Sequence, residues 1–207
     1  MSQTLDGRTV AIVAAHEFED VELEFPLLRL SEMGADVRLV PVRAGHHPRP
    51  SLESTGSKPV TGRYGTPIPP DVLTEGEHYT VTPFEDLSVA DVDCVVLPGG
   101  FSPDHLRTEE RVVGFLSECH EAGVVIAAIC HGPQLLVETD VLEGREVTGV
   151  GPVRTDLANA GGEVVDEAVA VDGHLVTGRN PDALPAFCRA IGETVERRAG
   201  VEAASDD

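Results

Sequence analysis

The chain has 207 residues, 41% of them hydrophobic, which suffices for one substantial α/β domain but not comfortably for two. Its 36 acidic residues face 15 basic ones, with Lys58 the single lysine, so a nucleic-acid partner, which needs clustered positive charge, is not expected. No basic and apolar leader opens the chain, and no run reaches the ~18 to 20 apolar residues of a membrane helix, so a cytoplasmic protein with no membrane partner is expected. So acidic a surface with almost no lysine reads as a chain from a salt-accumulating organism, where salt screens the self-repulsion.

In chain order, residues 1–7 read as a flexible N-terminus and Thr9 to Ala14 as a first buried strand. Val21 to Met33 carries Leu23, Leu27, Leu30 and Met33 at helical spacing, and Gly34 ends that helix. Val37 to Val40 is a second strand. Residues 43–78 are rich in Pro, Gly, Ser and Thr, and predict an irregular excursion with short hairpin strands. Its role is open between a lid, an oligomer contact and a passive insertion, and His46 and His47 within it read as a solvated turn.

Asp93 to Leu97 is the next core strand, and Pro98-Gly99-Gly100 turns out of it. Glu109 to Ala122 predicts a helix, and Val124 to Ile129 a strand. A short strand near Val147, a helix near Arg154 to Ala160 and strands at 163–165, 168–171 and 174–177 follow. Asp182 to Arg198 closes as a helix, and residues 199–207 read as a frayed acidic tail. Continuous apolar strands alternating with helices imply a single α/β sandwich around a mostly parallel sheet, spanning residues 8–198.

The four cysteines lack metal-like or disulfide-like spacing. Cys94, Cys119 and Cys188 read as small buried hydrophobes. Cys130 differs, because the strand Val124 to Ile129 runs into Cys130-His131-Gly132-Pro133 and an apolar helical pattern follows at once. That is the layout of a nucleophile elbow, and a thiol near a helix N-terminus is expected to have a lowered pKa. Sites in open α/β sheets form at the carboxyl edges of the strands. Three such edges carry unusual residues: His16 to Asp20, Gly99 to Asp104, and Cys130-His131.

Together the segments Glu17-Phe18-Glu19-Asp20-Val21-Glu22-Leu23, Leu97-Pro98-Gly99-Gly100, Ala128 to Gln134 and Val169 to Phe187 resemble the ThiJ/PfpI superfamily, closest to its PfpI-type intracellular cysteine peptidases. The resemblance spans roughly residues 8 to 195 and implies a three-layer, flavodoxin-like sandwich of the class I glutamine amidotransferase type. It further implies Cys130 as nucleophile, His131 as its general acid or base, and Glu19 as the carboxyl beside the thiol. Glu19 is otherwise a first-turn residue complementing the helix dipole, as Glu17, Asp20 and Glu22 are. Amides at Gly100 and His131 would form an oxyanion hole, with Gly99 allowing close approach.

Asp104 stands where PfpI-type relatives commonly carry the glutamate that completes a triad across a subunit interface; its shorter side chain leaves a helix-capping role open. His16 and His105 would line the pocket. Gly149 to Asp156 departs from the Tyr-Pro-Gly pattern of PfpI relatives, with consequences for pocket shape or an oligomer contact. By resemblance the protein is a homo-oligomeric, cofactor-free and metal-free enzyme acting on a peptide or small-molecule carbonyl. The activity implied is that of a PfpI-type cysteine hydrolase; the alternatives are a glyoxalase or deglycase acting on reactive aldehydes, and a non-catalytic oxidation sensor or chaperone.

Overall fold

The computed structural model describes residues 5–44 and 59–205, without the side chains of 201–205. His46 and His47 therefore lie outside the described residues. Thr9–Ala14 (β1), Asp36–Pro41 (β2), Cys94–Leu97 (β6) and Val125–Ile129 (β7) are the core strands. The hairpin Val60–Thr61 (β3) and Pro67–Ile68 (β4) and the short Thr80–Val81 (β5) come between β2 and β6. After β7 come Glu146–Val147 (β8), Glu163–Val164 (β9), Val169–Asp172 (β10) and Leu175–Gly178 (β11). The helices are Asp20–Glu32 (α1), Ser102–Leu106 (α2), Glu110–Glu121 (α3), Arg154–Asn159 (α4) and Leu184–Ser205 (α5).

The main sheet has the order β10-β11-β7-β6-β1-β2-β5, and every pair in it is parallel except β10 with β11. Alternate side chains of the buried strands feed two cores. Val10, Ile12, Val96 and Ala127 pack with Leu23, Leu27, Leu30, Phe187 and Ile191 from α1 and α5. Ala11, Val13, Val95 and Ile126 pack on the other face with Leu106, Val112, Leu116 and Leu135. Because both faces are covered, the strands read as unbroken apolar runs. The expected flavodoxin-like α/β sandwich is therefore present.

Three expectations need correction. Leu5 is fully buried and its N–H donates to Met33 O at 2.9 Å, so residues 5–7 are docked onto the end of α1. The segment after the elbow, Gly132–Glu138, is a 3-10 helix and not an α-helix. α5 continues to Ser205, through most of what reads as a frayed tail, because Ala199 to Ser205 holds no helix breaker except Gly200.

β1 has β2 on one side and β6 on the other, so the chain's progression across the sheet reverses there. Open sheets of this kind bind ligands at the carboxyl ends of the strands flanking such a reversal. The loops after β1, β6 and β7 all emerge at that edge.

Candidate active site

Cys130 follows β7 directly and has φ of 62°, a left-handed conformation that non-glycine residues rarely adopt. Two hydrogen bonds fix its backbone: Cys130 N–H donates to Gly178 O at 2.9 Å, and Val150 N–H donates to Cys130 O at 3.1 Å. Val150 belongs to the segment 149–156 that departs from the PfpI pattern, and that segment braces the elbow. The thiol is almost covered, its residue 9% exposed.

The carboxyl beside this thiol belongs to Glu22, which corrects the expectation for Glu19. Glu22 is fully buried, and its Oε2 accepts the Gly99 N–H at 2.7 Å. Its Oε1 is buried without a hydrogen-bond partner, and the carboxyl and the Cys130 thiol shift one another's pKa. The physical reason is helical phase. Residues 22, 23, 26, 27 and 30 form the inward face of α1, whereas Glu19 is its N-cap residue and turns to the rim. There Glu19 Oε2 accepts from Arg63 Nη1 at 2.8 Å. A sequence signal for Glu22 existed: it lies four residues before Pro26 and eight before Leu30, on the apolar face where a free surface glutamate has no place.

Burial is the main force raising the Glu22 pKa from 4.5 to about 7; the Gly99 amide opposes it. Cys130 is pushed up to about 12, first by burial and then by the charge of Glu22, while the His131 N–H donated to the sulfur works the other way. The lowered thiol pKa expected from a helix terminus is therefore not found. When Glu22 is protonated its repulsion vanishes and its O–H becomes a donor for a thiolate, so the two groups titrate as one coupled pair.

His131 Nδ1 lies 3.4 Å from Cys130 Sγ, so neighbouring residues do meet. Burial, aided by the Arg63 charge, lowers the His131 pKa and keeps the ring neutral near pH 7. Gly99 and Gly100 are required by close approach. A Cβ on Gly99 would meet Glu22 Oε2 at 2.7 Å and His131 N at 2.8 Å; Gly100 has φ of 71° with Glu17 O 2.3 Å from its Cβ position.

Asp104, in α2, is exposed and makes no hydrogen bond or ion pair with His131 within one chain. α2 has Phe101 as its N-cap and no side-chain cap, so the capping role is absent as well. His16 Nδ1 accepts the Thr61 N–H at 3.2 Å and anchors the β3–β4 hairpin. His105 is buried, its Nε2 3.8 Å from Glu17 Oε2. Glu17 and Asp20, read from the sequence as charges complementing the helix dipole, are each only 7% exposed. Glu17 has φ of 60° and sits between two loops: its N–H donates to Thr61 O at 2.8 Å and its O accepts from Phe101 N–H at 2.9 Å.

Two residues to which the sequence assigned no role in the site, Asp20 and Arg63, complete the rim. The Asp20 carboxylate accepts the N–H groups of Tyr64 at 2.9 Å and Thr66 at 2.8 Å, pinning the turn between β3 and β4. That turn carries Arg63, whose N–H donates to Phe18 O at 2.9 Å. Part of the 43–78 excursion is thus a fastened wall of the site. Among the described residues no group of His, Cys, Asp and Glu could hold a metal ion, and no helix is long and apolar enough to cross a membrane.

Residues 8–194 match the model of the DJ-1/PfpI family. An uncharacterized protein of Staphylococcus epidermidis is 40% identical over 192 residues, 92% of this chain and 99% of its own length. One from Archaeoglobus fulgidus is 37% identical over 188 residues, covering 91% and 98% of the two chains. Among solved structures, a two-domain protein of Anabaena variabilis with DJ-1/ThiJ/PfpI-like and ferritin-like domains superposes with a TM-score of 0.72 at 33% identity. The match takes in 89% of this chain and spans only 47% of that protein. DJ-1beta of Drosophila melanogaster gives a TM-score of 0.72 at 25% identity over 95% of this chain and 91% of its own. This chain belongs to the DJ-1/PfpI family.

Proposed function

We propose that this protein is a cysteine-dependent enzyme acting on the carbonyl carbon of small aldehydes, of the glyoxalase or deglycase type. The observation that carries the proposal is the pairing of Cys130 with a buried carboxyl, Glu22, whose pKa is raised to about 7. A carboxyl poised near neutral pH can both give and take a proton, as general acid–base catalysis needs. In the reacting pair the proton resides on Glu22 and the sulfur is a thiolate. The sulfur forms a C–S bond to the aldehyde carbon, the carbonyl π pair moves to oxygen, and that oxygen takes a proton to give a hemithioacetal. Glu22, then a carboxylate, takes the carbon-bound proton and returns it to the neighbouring carbon of an α-oxo aldehyde, leaving a thioester that water cleaves to the acid and the free thiol; in this reading the amides of Gly100 and His131 stabilise the developing oxyanion.

A second reading is the PfpI-type hydrolase, favoured by the contact of His131 Nδ1 with Sγ. There Cys130 forms a thioester, His131 protonates the leaving group, and water releases the acid. That chemistry needs an acid to orient His131, which Asp104 from a second copy in a homo-oligomer would supply. The same Cys–Glu pair also suits oxidation of Cys130 to a sulfinate in a non-catalytic sensor.

Turnover of methylglyoxal and of fluorogenic peptides by wild type, Cys130→Ser and Glu22→Gln separates these readings. The aldehyde reading expects Cys130→Ser to lose methylglyoxal turnover, and Glu22→Gln to lose about 10²- to 10⁴-fold. Peptide cleavage that depends on Cys130 without aldehyde turnover would favour the hydrolase. Equal rates in wild type and Cys130→Ser would overturn both enzyme readings.

A further inference from the structure

Arg63 is a rim cation whose charge neither mechanism uses. It comes from the turn that Asp20 holds by two backbone hydrogen bonds, and its own N–H is bound to Phe18 O at 2.9 Å, so its Cα is fixed relative to the loop after β1. Phe18 forms an antiparallel bridge with Gly100, which ties the turn to the glycine loop beside Cys130. The Arg63 guanidinium lies over two aromatic rings, 5.6 Å from the Phe101 centroid and 5.8 Å from that of Tyr64. Both rings are open to solvent, Phe101 50% and Tyr64 78% exposed. Phe101 directly follows Gly100, so the guanidinium stands at the mouth of the thiol pocket.

Its charge is felt inside that pocket: at His131 it lowers the pKa more than Glu19 raises it, whereas at Glu22 the opposing charge of Glu19 is the larger. Glu19 accepts from Nη1, but a guanidinium has five donors in a planar fork suited to carboxylates. In a chain of net charge −21, Arg63 is a cation at the rim of the thiol pocket, where an incoming anion can compete with Glu19 for its donors.

We propose that Arg63 is a specificity-determining residue that selects substrates bearing a carboxylate beside the carbon attacked by Cys130, with Phe101 and Tyr64 as the walls of that subsite. Among carbonyl compounds the site thereby prefers anionic ones, and turns over a neutral dicarbonyl such as methylglyoxal less efficiently. This rests on Cys130 being an accessible nucleophile, as argued above, and the test keeps the two claims apart.

The test is alkylation of Cys130 by iodoacetate and by iodoacetamide, followed by peptide mass spectrometry in wild type, Arg63→Gln and Arg63→Lys. In each reaction the thiolate sulfur forms a bond to the CH₂ carbon and iodide leaves with the C–I electron pair. The reagents are nearly the same size and differ in charge, and both consume thiolate, so the ratio of their rate constants cancels any change in thiolate population. The expected result is an iodoacetate-to-iodoacetamide ratio about tenfold lower in Arg63→Gln than in wild type. Arg63→Lys should fall between them, since it keeps the charge and loses the fork, and 1 M salt should narrow the wild-type advantage. A ratio equal in wild type and Arg63→Gln, with Cys130 labelled in both, overturns the Arg63 proposal alone. Absence of label at Cys130 with either reagent overturns the thiol reading on which it rests.

Discussion

The chemistry of the site turns on single residues and on which way each faces. Cys130 was identifiable from the sequence because a buried strand ending in Cys-His-Gly-Pro forces a sharp turn, and the φ of 62° is that turn's signature. Its carboxylate partner was harder to see. The acidic run Glu17, Glu19, Asp20, Glu22 offers four candidates within six residues, and only helical phase separates them. α1 starts at Asp20, which turns Glu22 inward with Leu23 and Pro26 and leaves Glu19 outside as the N-cap. The thiol's own acidity was misjudged for a related reason. An N-terminal dipole effect is small and local, whereas burial next to a carboxylate is large, and here burial wins.

At the scale of elements, the strands and most helices were legible because continuous apolar runs and 3.6-residue spacing report burial directly. The β3–β4 hairpin was legible only as a hairpin-bearing excursion. What it docks on depends on long-range contacts that a local pattern does not encode: Asp20 to Tyr64 and Thr66, His16 to Thr61, and Glu17 to Thr61. Asp20 is the main fastening, since one carboxylate satisfies two backbone donors. Asp20→Ala leaves both N–H groups unpaired and is expected to destabilise the protein by about 1–3 kcal/mol. Limited proteolysis should then cut between Thr61 and Thr66 faster than in wild type, with Asp20→Asn intermediate. Unchanged cleavage there would mean that the turn is held by other contacts.

At the scale of the whole molecule, Glu22 makes stability depend on pH in a direction opposite to that of a salt-bridged carboxylate. Its pKa is 4.5 when solvated and about 7 when folded, so between those values the native state holds a proton that the unfolded state has lost. Stability from this group is therefore complete below about pH 4.5, falls as pH rises toward 7, and levels off above. The shift corresponds to about 3 kcal/mol at most. Glu22→Gln, which cannot ionise, should be more stable than wild type at pH 8, and the gap should shrink toward pH 5. Urea midpoints at the two pH values measure it, and an equal gap at both would contradict a raised Glu22 pKa. The net charge of −21 adds a pH-dependent background to both proteins, which the comparison removes.

The central claim is that Cys130 and Glu22 share one ionisation near neutrality. The most direct measurement is the rate of iodoacetamide alkylation at Cys130 against pH in wild type and Glu22→Gln. In the coupled pair the first proton leaves near pH 7, mainly from Glu22, and a fixed small share of the singly ionised pair holds the proton on Glu22 and the charge on sulfur, so the wild-type rate should rise through about pH 7 and then level off until the thiol itself ionises. In Glu22→Gln that inflection should be gone, with the rate following a single thiol ionisation at another pH. An inflection near 7 that persists unchanged in Glu22→Gln, or is absent from wild type, would contradict the account.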